Sequence, residues 1–512
     1  MRNYIVILLC LLSITGYSQN NRAGSRWIIG GSFALEATFT DTSRPEIKVK
    51  YDTSKIAYPY YYTAGQSNIC DSATGKLLFS TTGMLIHDTT GAIMDNGDHL
   101  VDNEVYNYNP YPEAPTTQGS LILPKGSTGQ YYVFIPTLSD SAFDFYITNN
   151  GANGAVPYDR FLYNVVDMNA NGGLGKVILK KKILLQGVAI HKTMMQACRH
   201  SNGVDWWLLK QGEYDTNRIY RFLVKVDTIE GPFIQEFAEP KYPSYDLTGQ
   251  YAFSKDGSKF VSVQGKGEMN KLFMADFDRC TGELNNPQII NIPIDSTTYP
   301  VLDTVGHLDS INTGVCFSPN GQFIYISKRA NIYQYEYQQP DSMLAWYRVQ
   351  HGADTTLQKF QYYGHLVRGI DERIYIGNVG GQRLQMSVID KPDIKGGGCQ
   401  FCRKCFRLDT NLVIGMNAPP NMPDYNLGAS GVVCWPLGSS EISEKSSEWE
   451  IYPNPASTIF YIKNAQGKKK ALYNMIGTKL FNTYKDEIDI KKYAKGIYFI
   501  RCEGVSKKVI IE

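Results

Sequence analysis

Short apolar runs, bounded by Gly, Asn, Asp and Pro, make up most of the chain between Trp27 and Leu437. Runs of this kind between turn-forming residues are typical of β-strands. The 3.6-residue periodicity of an amphipathic helix is scarce in the same region. The pattern therefore predicts an all-β domain.

A hairpin motif recurs along this region. Residues 253–257 (Phe-Ser-Lys-Asp-Gly) precede the apolar run 260–263, and residues 317–321 (Phe-Ser-Pro-Asn-Gly) precede the run 323–326. Asp-Gly or Asn-Gly between two apolar runs is the strongest short-range signal for a β-hairpin. With weaker copies included, the turns fall at positions 75, 129, 203, 257, 321 and 372, which are 54, 74, 54, 64 and 51 residues apart. Acidic-to-glycine turns at 88–91, 227–231 and 278–282 indicate a second hairpin, and hence four strands, in a unit.

Four-stranded sheets that recur at this period are typical of propeller blades, which stack in a ring because a lone blade exposes both faces. The prediction is a β-propeller over residues 25–437. Six units are visible, and the region has room for a seventh made from both of its ends. We therefore expect seven blades, with six as the alternative. A pair of β-sandwiches is the rival architecture, and the even spacing counts against it.

The N-terminus predicts export. Arg2 provides a positive charge, residues 5–14 are apolar, and small residues follow at 16–18. This order is that of a signal peptide (residues 1–18), cleaved between Ser18 and Gln19. The apolar run is too short to span a bilayer, and no later run is long and apolar enough to do so.

Export places nine of the ten cysteines in an oxidising compartment, where disulfides persist. Three cysteines are clustered, and we interpret them with a fourth as candidates for structural disulfides, with the pairing left open: Cys399, Cys402, Cys405 and Cys434. A zinc or iron–sulfur site with Cys434 as the fourth ligand is the alternative. Cys70, Cys198 and Cys316 lie in apolar runs and are expected to be buried thiols.

The charge and motif content limit the classes of function. A formal net charge of +2 provides no field that would attract nucleic acid. The chain lacks the short motifs of zinc proteases, serine hydrolases and phosphate-binding loops. The sequence therefore assigns no catalytic residue, no metal and no cofactor. Carboxylate pairs of glycosidases come from residues remote in sequence, so a polysaccharide hydrolase or lyase stays an alternative.

Several blocks in the propeller region carry a family resemblance. Residues 67–71, 75–79 and 94–97, with the later blocks 162–168 and 200–207, resemble landmarks of exported WD-repeat-like propellers of gliding and biofilm-forming Gram-negative bacteria. The resemblance supports the fold and implies no particular activity.

The composition changes after Leu437. Residues 438–449 are polar and predict a linker, and residues 450–512 predict a small immunoglobulin-like β-sandwich. This last unit resembles the type A sorting domain of the type IX secretion system. Its blocks are 452–455, 472–477, 488–490, 493–500 and 507–511. The residues that we assign to the sorting signal are Tyr452, Pro453, Asn454, Pro455, Gly477, Gly496 and Tyr498.

The second resemblance implies a route and a partner. The protein would pass into the periplasm, fold, and cross the outer membrane through the type IX machinery. It would then be secreted or attached to the outer surface of a Gram-negative cell. An ordinary carbohydrate-binding module would explain neither the block order nor the terminal position.

The expected function is binding of an extracellular protein or glycan through loops on one face of the ring. The hydrolase or lyase is the first alternative. A structural role in the gliding or secretion apparatus is the second.

Overall fold

The computed structural model describes residues 21–30, 34–40, 43–51, 65–108, 114, 116–150, 158–212, 217–241, 248–265, 270–293, 311–328, 331–350, 362–379, 386–406, 418–432, 434, 449–474, 479–502 and 505–512. The chain forms two compact units that divide between Cys434 and Trp435. The predicted signal peptide and most of the predicted linker lie outside the described residues.

The first unit consists of antiparallel sheets in which the strands follow one another in chain order. Blade 1 contains β1 (Arg26–Ile29), β2 (Ala34–Thr38) and β3 (Glu46–Tyr51), and blade 2 contains β4 (Ser67–Cys70), β5 (Leu77–Thr81) and β6 (Ile86–His87). Blade 5 contains β14 (Gly249–Phe253), β15 (Lys259–Gln264), β16 (Lys271–Phe277) and β17 (Leu284–Asn291). Blade 6 contains β18 (Asn312–Phe317), β19 (Phe323–Lys328), β20 (Ile332–Glu336) and β21 (Trp346–Gln350). Blade 7 contains β22 (Tyr362–Arg368), β23 (Ile374–Val379), β24 (Met386–Ile389) and β25 (Phe401–Phe406).

Blades 3 and 4 share one long strand. Their seven-stranded sheet contains β7 (Leu121–Pro124), β8 (Gln130–Thr137), β9 (Tyr158–Asp167), β10 (Lys176–Arg199), β11 (Trp206–Gly212), β12 (Asn217–Val224) and β13 (Ile229–Phe237). The first part of β10 pairs with β9 and its last part pairs with β11, and Ile190 pairs with both neighbours. The shared strand therefore serves as the outer strand of blade 3 and the inner strand of blade 4. Two helices, α1 (Asn103–Tyr108) and α2 (Asp140–Asn150), lie in connections near blade 3.

The two strongest hairpin predictions are confirmed. In the turn between β14 and β15, Gly257 has φ 72° and its N–H donates to the Ser254 carbonyl. In the turn between β18 and β19, Gly321 has the same φ, and its N–H donates to the Ser318 carbonyl. Glycine is required there because positive φ strains a side chain.

Hydrophobic packing closes the sheets into a ring. Trp27 and Phe39 of the first blade pack against Tyr375 and Phe406 of the last, with Trp27 and Tyr375 ring centroids 5.1 Å apart. Shared buried clusters also join blades 1 and 2, blades 2 to 4, 4 and 5, 5 and 6, and 6 and 7. The described residues therefore form a seven-bladed β-propeller, as predicted. The sequence led us to expect one blade made from both ends of the region, and within the described residues the three strands of blade 1 all come from the N-terminal end.

A segment that follows blade 7 runs along the inner strands. We call residues 418–427 the axial segment. The Gln66 side chain donates to the Ala418 carbonyl (2.7 Å), and further along the Tyr425 hydroxyl donates to the Ile122 carbonyl (2.8 Å). The chain then crosses the first hairpin turn of blade 4, where the Ser430 N–H donates to the Ser201 carbonyl. It ends in the disulfide Cys280–Cys434.

The second unit is a small β-sandwich, as predicted. One sheet contains β26 (Glu450–Tyr452), β27 (Ile459–Lys463) and β30 (Glu487–Asp489), and the other contains β29 (Lys479–Thr483), β28 (Lys470–Asn474), β31 (Gly496–Cys502) and β32 (Val505–Ile511) in that spatial order. Phe460, Leu472 and Ile500 are fully buried in its core. Among the described residues of the whole chain, no helix is long and apolar enough to cross a membrane.

Candidate functional site

A cavity of about 130 Å³ lies near the ring axis. The inner strands run in the same direction in every blade, so their last residues meet at one end of the ring, together with the first hairpin turns. We call this end the turn face. The cavity is lined there by the ends of β10, β14 and β22 and by residues 422–427 of the axial segment.

Charged side chains around the cavity are matched to one another. Arg368 donates to Asp424 and lies 3.8 Å from the Glu372 carboxylate, which in turn contacts the Lys255 ammonium at 3.0 Å. The Arg368 side chain is only 13% exposed, so its partners replace much of its hydration. The group therefore ties blades 5 and 7 to the axial segment.

Two cysteines also line the cavity. Cys198 and Cys316 are free and buried, as predicted. Burial raises the pKa of the Cys316 thiol to about 11, and it raises the pKa of Cys198 further. A thiol must ionise to act as a nucleophile or metal ligand. Both side chains are therefore core thiols.

Two buried glutamines connect the inner strands on the propeller axis. The side-chain carbonyl oxygen of Gln118 accepts hydrogen bonds from the backbone N–H groups of Met195 and Tyr251, at 3.2 and 3.1 Å. Gln250 does the same for Val315 and Leu366, both at 3.1 Å. These four N–H groups lie on inner strands of different blades, and the two side-chain amides satisfy them. Sequence reasoning missed both residues, although a glutamine next to an apolar inner strand was a visible signal.

A hydrogen bond also crosses the ring between blades. The Thr117 hydroxyl lies 2.6 Å from Nε2 of His365, on the inner strand of blade 7. Burial lowers the pKa of His365 to about 3. The imidazole is therefore neutral in the folded protein and has a structural role.

The predicted disulfide residues fall into three groups. Cys402 pairs with Cys405 within β25, and Cys434 pairs with Cys280 of blade 5. Cys399 is a buried free thiol. No group of three or more metal-ligating side chains occurs in the described parts of the chain.

The predicted sorting residues lie at the two ends of the small domain. Tyr452 ends β26, is 51% exposed and stacks on Tyr461 at 5.7 Å. Gly496 begins β31, and the Tyr498 hydroxyl donates to the Ala494 carbonyl. Pro453 and Pro455 both follow cis peptide bonds. Gly477 lies outside the described residues.

Asn454 brings the ends of the domain together. Its amide nitrogen donates to the Lys508 carbonyl and its carbonyl oxygen accepts from the Ile510 N–H, both at 2.8 Å. The Ala456 N–H then donates to the Ile510 carbonyl. The opening segment, which contains four of the predicted sorting residues, is thus held against the last strand of the domain.

The family comparison identifies this small domain. Residues 450–512 match the family described as the secretion system C-terminal sorting domain. The ring and the terminal domain together define an exported β-propeller protein. Its export signal is a type IX secretion sorting domain, which implies handling by that machinery.

The remaining comparisons concern the whole chain. Comparison with curated proteins finds no match. Among solved structures, the chain is similar to the Dos1 propeller (11% identity, 67% of this chain and 72% of that chain, TM-score 0.34). It is also similar to the periplasmic gluconolactonase PpgL of Pseudomonas aeruginosa (11% identity, 95% of this chain and 99% of that chain, TM-score 0.36). A third similar structure is a quinoprotein alcohol dehydrogenase-like protein of Bacteroides thetaiotaomicron (10% identity, 78% of this chain and 76% of that chain, TM-score 0.32). The strand order and the packing between blades define the propeller fold.

Proposed function

We propose that this chain is a binding protein of the cell exterior, a WD-repeat-like propeller that recognises a protein or a glycan. A signal peptide at residues 1–18 takes it into the periplasm, and the sorting domain directs it across a Gram-negative outer membrane. It is then released or held on the cell surface.

The observation that carries the binding role is the difference between the two ends of the ring. At the turn face the first hairpins are tight, with Gly75, Gly257 and Gly321 in left-handed turn positions. The connections that lead into inner strands at the other end are long, such as those between β3 and β4 and between β17 and β18. Most of these connections lie outside the described residues.

Their composition favours recognition. The connection between β3 and β4 contains four tyrosines within five residues, at positions 58, 60, 61 and 62. Tyrosine provides a large contact area with few rotatable bonds and a hydroxyl for hydrogen bonding. Long loops held by rigid strands are where binding residues concentrate.

The rival hydrolase role has less support. Retaining and inverting glycosidases need two carboxyl groups across the scissile bond, one of them holding a proton. At the turn-face cavity, Glu372 and Asp424 both contact the same guanidinium, that of Arg368. Such matched charges are typical of a structural ion-pair group.

A binding screen tests the proposal. The exported protein, purified from the producing cells, is applied to a glycan array and to separated surface proteins. We expect saturable binding that falls at least tenfold in a Tyr60→Ala/Tyr61→Ala variant. The matched control is Tyr347→Ala, an exposed tyrosine (41%) on the outer strand of blade 6, which should bind normally.

Three results would overturn this function. Release of saccharide fragments from a polysaccharide would favour the hydrolase or lyase. Equal loss of binding in the control variant would show that the tyrosine-rich connection is not the contact. A secretion defect across many other exported proteins, after deletion of the gene, would favour a role in the apparatus.

A further inference from the structure

The sorting domain differs in charge from the rest of the chain. Residues 450–512 contain twelve Lys and Arg and six Asp and Glu, a formal net charge of +6, while the whole chain has +2. The remaining residues are therefore acidic overall. A strongly charged small domain favours a partner of the opposite charge.

The outer face of the four-stranded sheet carries an ordered row of side chains. Strand register places Lys479, Tyr473, Phe499 and Lys508 side by side across all four strands. The residues next to them along the strands, Leu472, Ile500 and Val509, are buried in the core. Because side chains alternate along a strand, the row faces away from the core. An aromatic pair is thus flanked by a lysine at each end.

More residues of the same kind surround this row. Ile497 and Ile510 face each other one pair further along, and Arg501 follows Phe499 on the same side of β31. Phe499 is 37% exposed, and Lys479, Arg501 and Lys508 are exposed. An outward sheet face is normally polar, so apolar and aromatic residues there indicate a contact surface. We call these seven residues the basic-aromatic face.

Three of the seven residues of this face are cationic. Within the described residues, no carboxylate lies within ion-pair distance of Lys479, Arg501 or Lys508. The outer face of the three-stranded sheet is different, because register places Tyr461 beside Glu487 and Lys463 beside Glu450. Asp489, which pairs with Ile459, lies on the same outer face, so the strands present three carboxylates and one lysine there. The excess charge of that face is negative, whereas the basic-aromatic face carries three cations.

We infer that the basic-aromatic face is the surface by which the secretion machinery binds this domain. The partner surface would be a protein with an apolar strip bordered by Asp and Glu, which would cover Tyr473 and Phe499 and neutralise the three cations. Aromatic and arginine side chains are the residues that most often dominate interface energies. The inference rests on the proposed export route and adds the face that is recognised.

A charge reversal tests the face in the full-length protein, produced in its own secreting bacterium. The variant is Lys479→Glu/Arg501→Glu/Lys508→Glu. The matched control, Lys463→Glu/Lys485→Glu/Lys491→Glu, changes the net charge equally at three exposed positions elsewhere on the domain. We expect at least a tenfold fall in the exported fraction for the first variant, periplasmic accumulation, and less than a twofold change for the control. An unchanged thermal unfolding midpoint shows that the variant is folded.

Deletion of residues 450–512 separates the two claims. If the deleted protein is still exported, the export route itself is wrong. If deletion blocks export and the face variant is exported normally, only the basic-aromatic face is wrong. An equal defect in the matched control would also overturn the face, because net charge alone would then explain the result.

Cross-linking identifies the occupant directly. A photoreactive phenylalanine analogue replaces Phe499 in one variant and Tyr461 in the other, two side chains with the same 37% exposure on opposite sheets. We expect position 499 to capture an outer-membrane secretion protein and position 461 to capture none. Capture of a second copy of this chain, or of its own propeller, at position 499 would overturn the inference.

Discussion

The propeller and the sorting domain both close on themselves, but over very different stretches of chain. In the propeller, Trp27 meets Tyr375, and Cys280 is bonded to Cys434. In the sorting domain, Asn454 meets β32 within a unit of about sixty residues. Closure of the ring therefore orders hundreds of residues at once, and we expect its loss to be the more damaging of the two.

The largest expected effect comes from the ring closure. Trp27→Ala removes a buried ring that packs on Phe39, Tyr375 and Phe406. We expect a loss of about 3–5 kcal/mol in the free energy of unfolding of the propeller, because truncation of a buried aromatic side chain loses its packing and leaves an empty space in the core. Trp346→Ala, at a half-buried position in blade 6, is the control and should have a smaller effect. Urea unfolding with limited proteolysis measures the stability of both variants. Equal losses of free energy would show that the contact between the first and last blades stabilises the propeller no more than a contact elsewhere.

The next effect comes from the long-range disulfide. Cys280→Ser/Cys434→Ser opens a loop of 154 residues. We expect the free energy of unfolding of the propeller to fall by about 2–4 kcal/mol, and proteolysis near the axial segment to become faster. Cys402→Ser/Cys405→Ser opens a separation of only three residues and should have a smaller effect, because a short loop loses less entropy on cross-linking. The reverse order would contradict the role of Cys434 in holding the axial segment.

Acid should weaken the propeller more than the sorting domain. Burial lowers the pKa of His87 and of His365 to about 3, so both stay neutral when folded. In the unfolded chain they bind protons below the ordinary value of 6.5, and the unfolded state therefore holds more protons between pH 6.5 and 3. The contribution of each neutral histidine to the free energy of unfolding is complete above pH 6.5. It decreases as the pH falls through this window, by about 2 kcal/mol for each histidine at pH 5.

The sorting domain contains no histidine and is the internal reference for this pH effect. Denaturant unfolding at pH 7 and pH 5 should show a larger shift for the propeller transition. A His365→Gln variant keeps a hydrogen-bonding group near Thr117 and should lose part of the pH dependence. If the free energy of unfolding of that variant depends on pH as strongly as in the natural protein, His365 does not cause the effect.

The smallest effect tests closure of the sorting domain. Asn454→Ala removes two hydrogen bonds to β32, and we expect a loss of about 1 kcal/mol confined to that domain, because both bonds are partly open to water. Hydrogen exchange of the β32 amides measures it. Asn454→Asp keeps the acceptor for the Ile510 N–H and should retain part of the stability. A loss that spreads to the propeller would contradict the independence of the two units.

Local patterns were sufficient for much of this architecture. The turns at Gly257 and Gly321 and the alternation of the strands beside them are short-range features, because turn geometry and side-chain direction depend on neighbouring residues. The same holds for the terminal domain, whose blocks lie within residues 450–512 and match a known family. The sequence therefore determined the fold class, the blade repeat and the sorting domain.

Only the tertiary structure decided how the ring closes. It showed that the N-terminal strands form blade 1 together, that β10 serves two blades, and that Cys434 pairs with Cys280. It also placed Tyr473, Phe499 and the two flanking lysines in one row. These contacts join residues far apart in the chain or set the register between strands. Their partners are selected by packing, which no local pattern records.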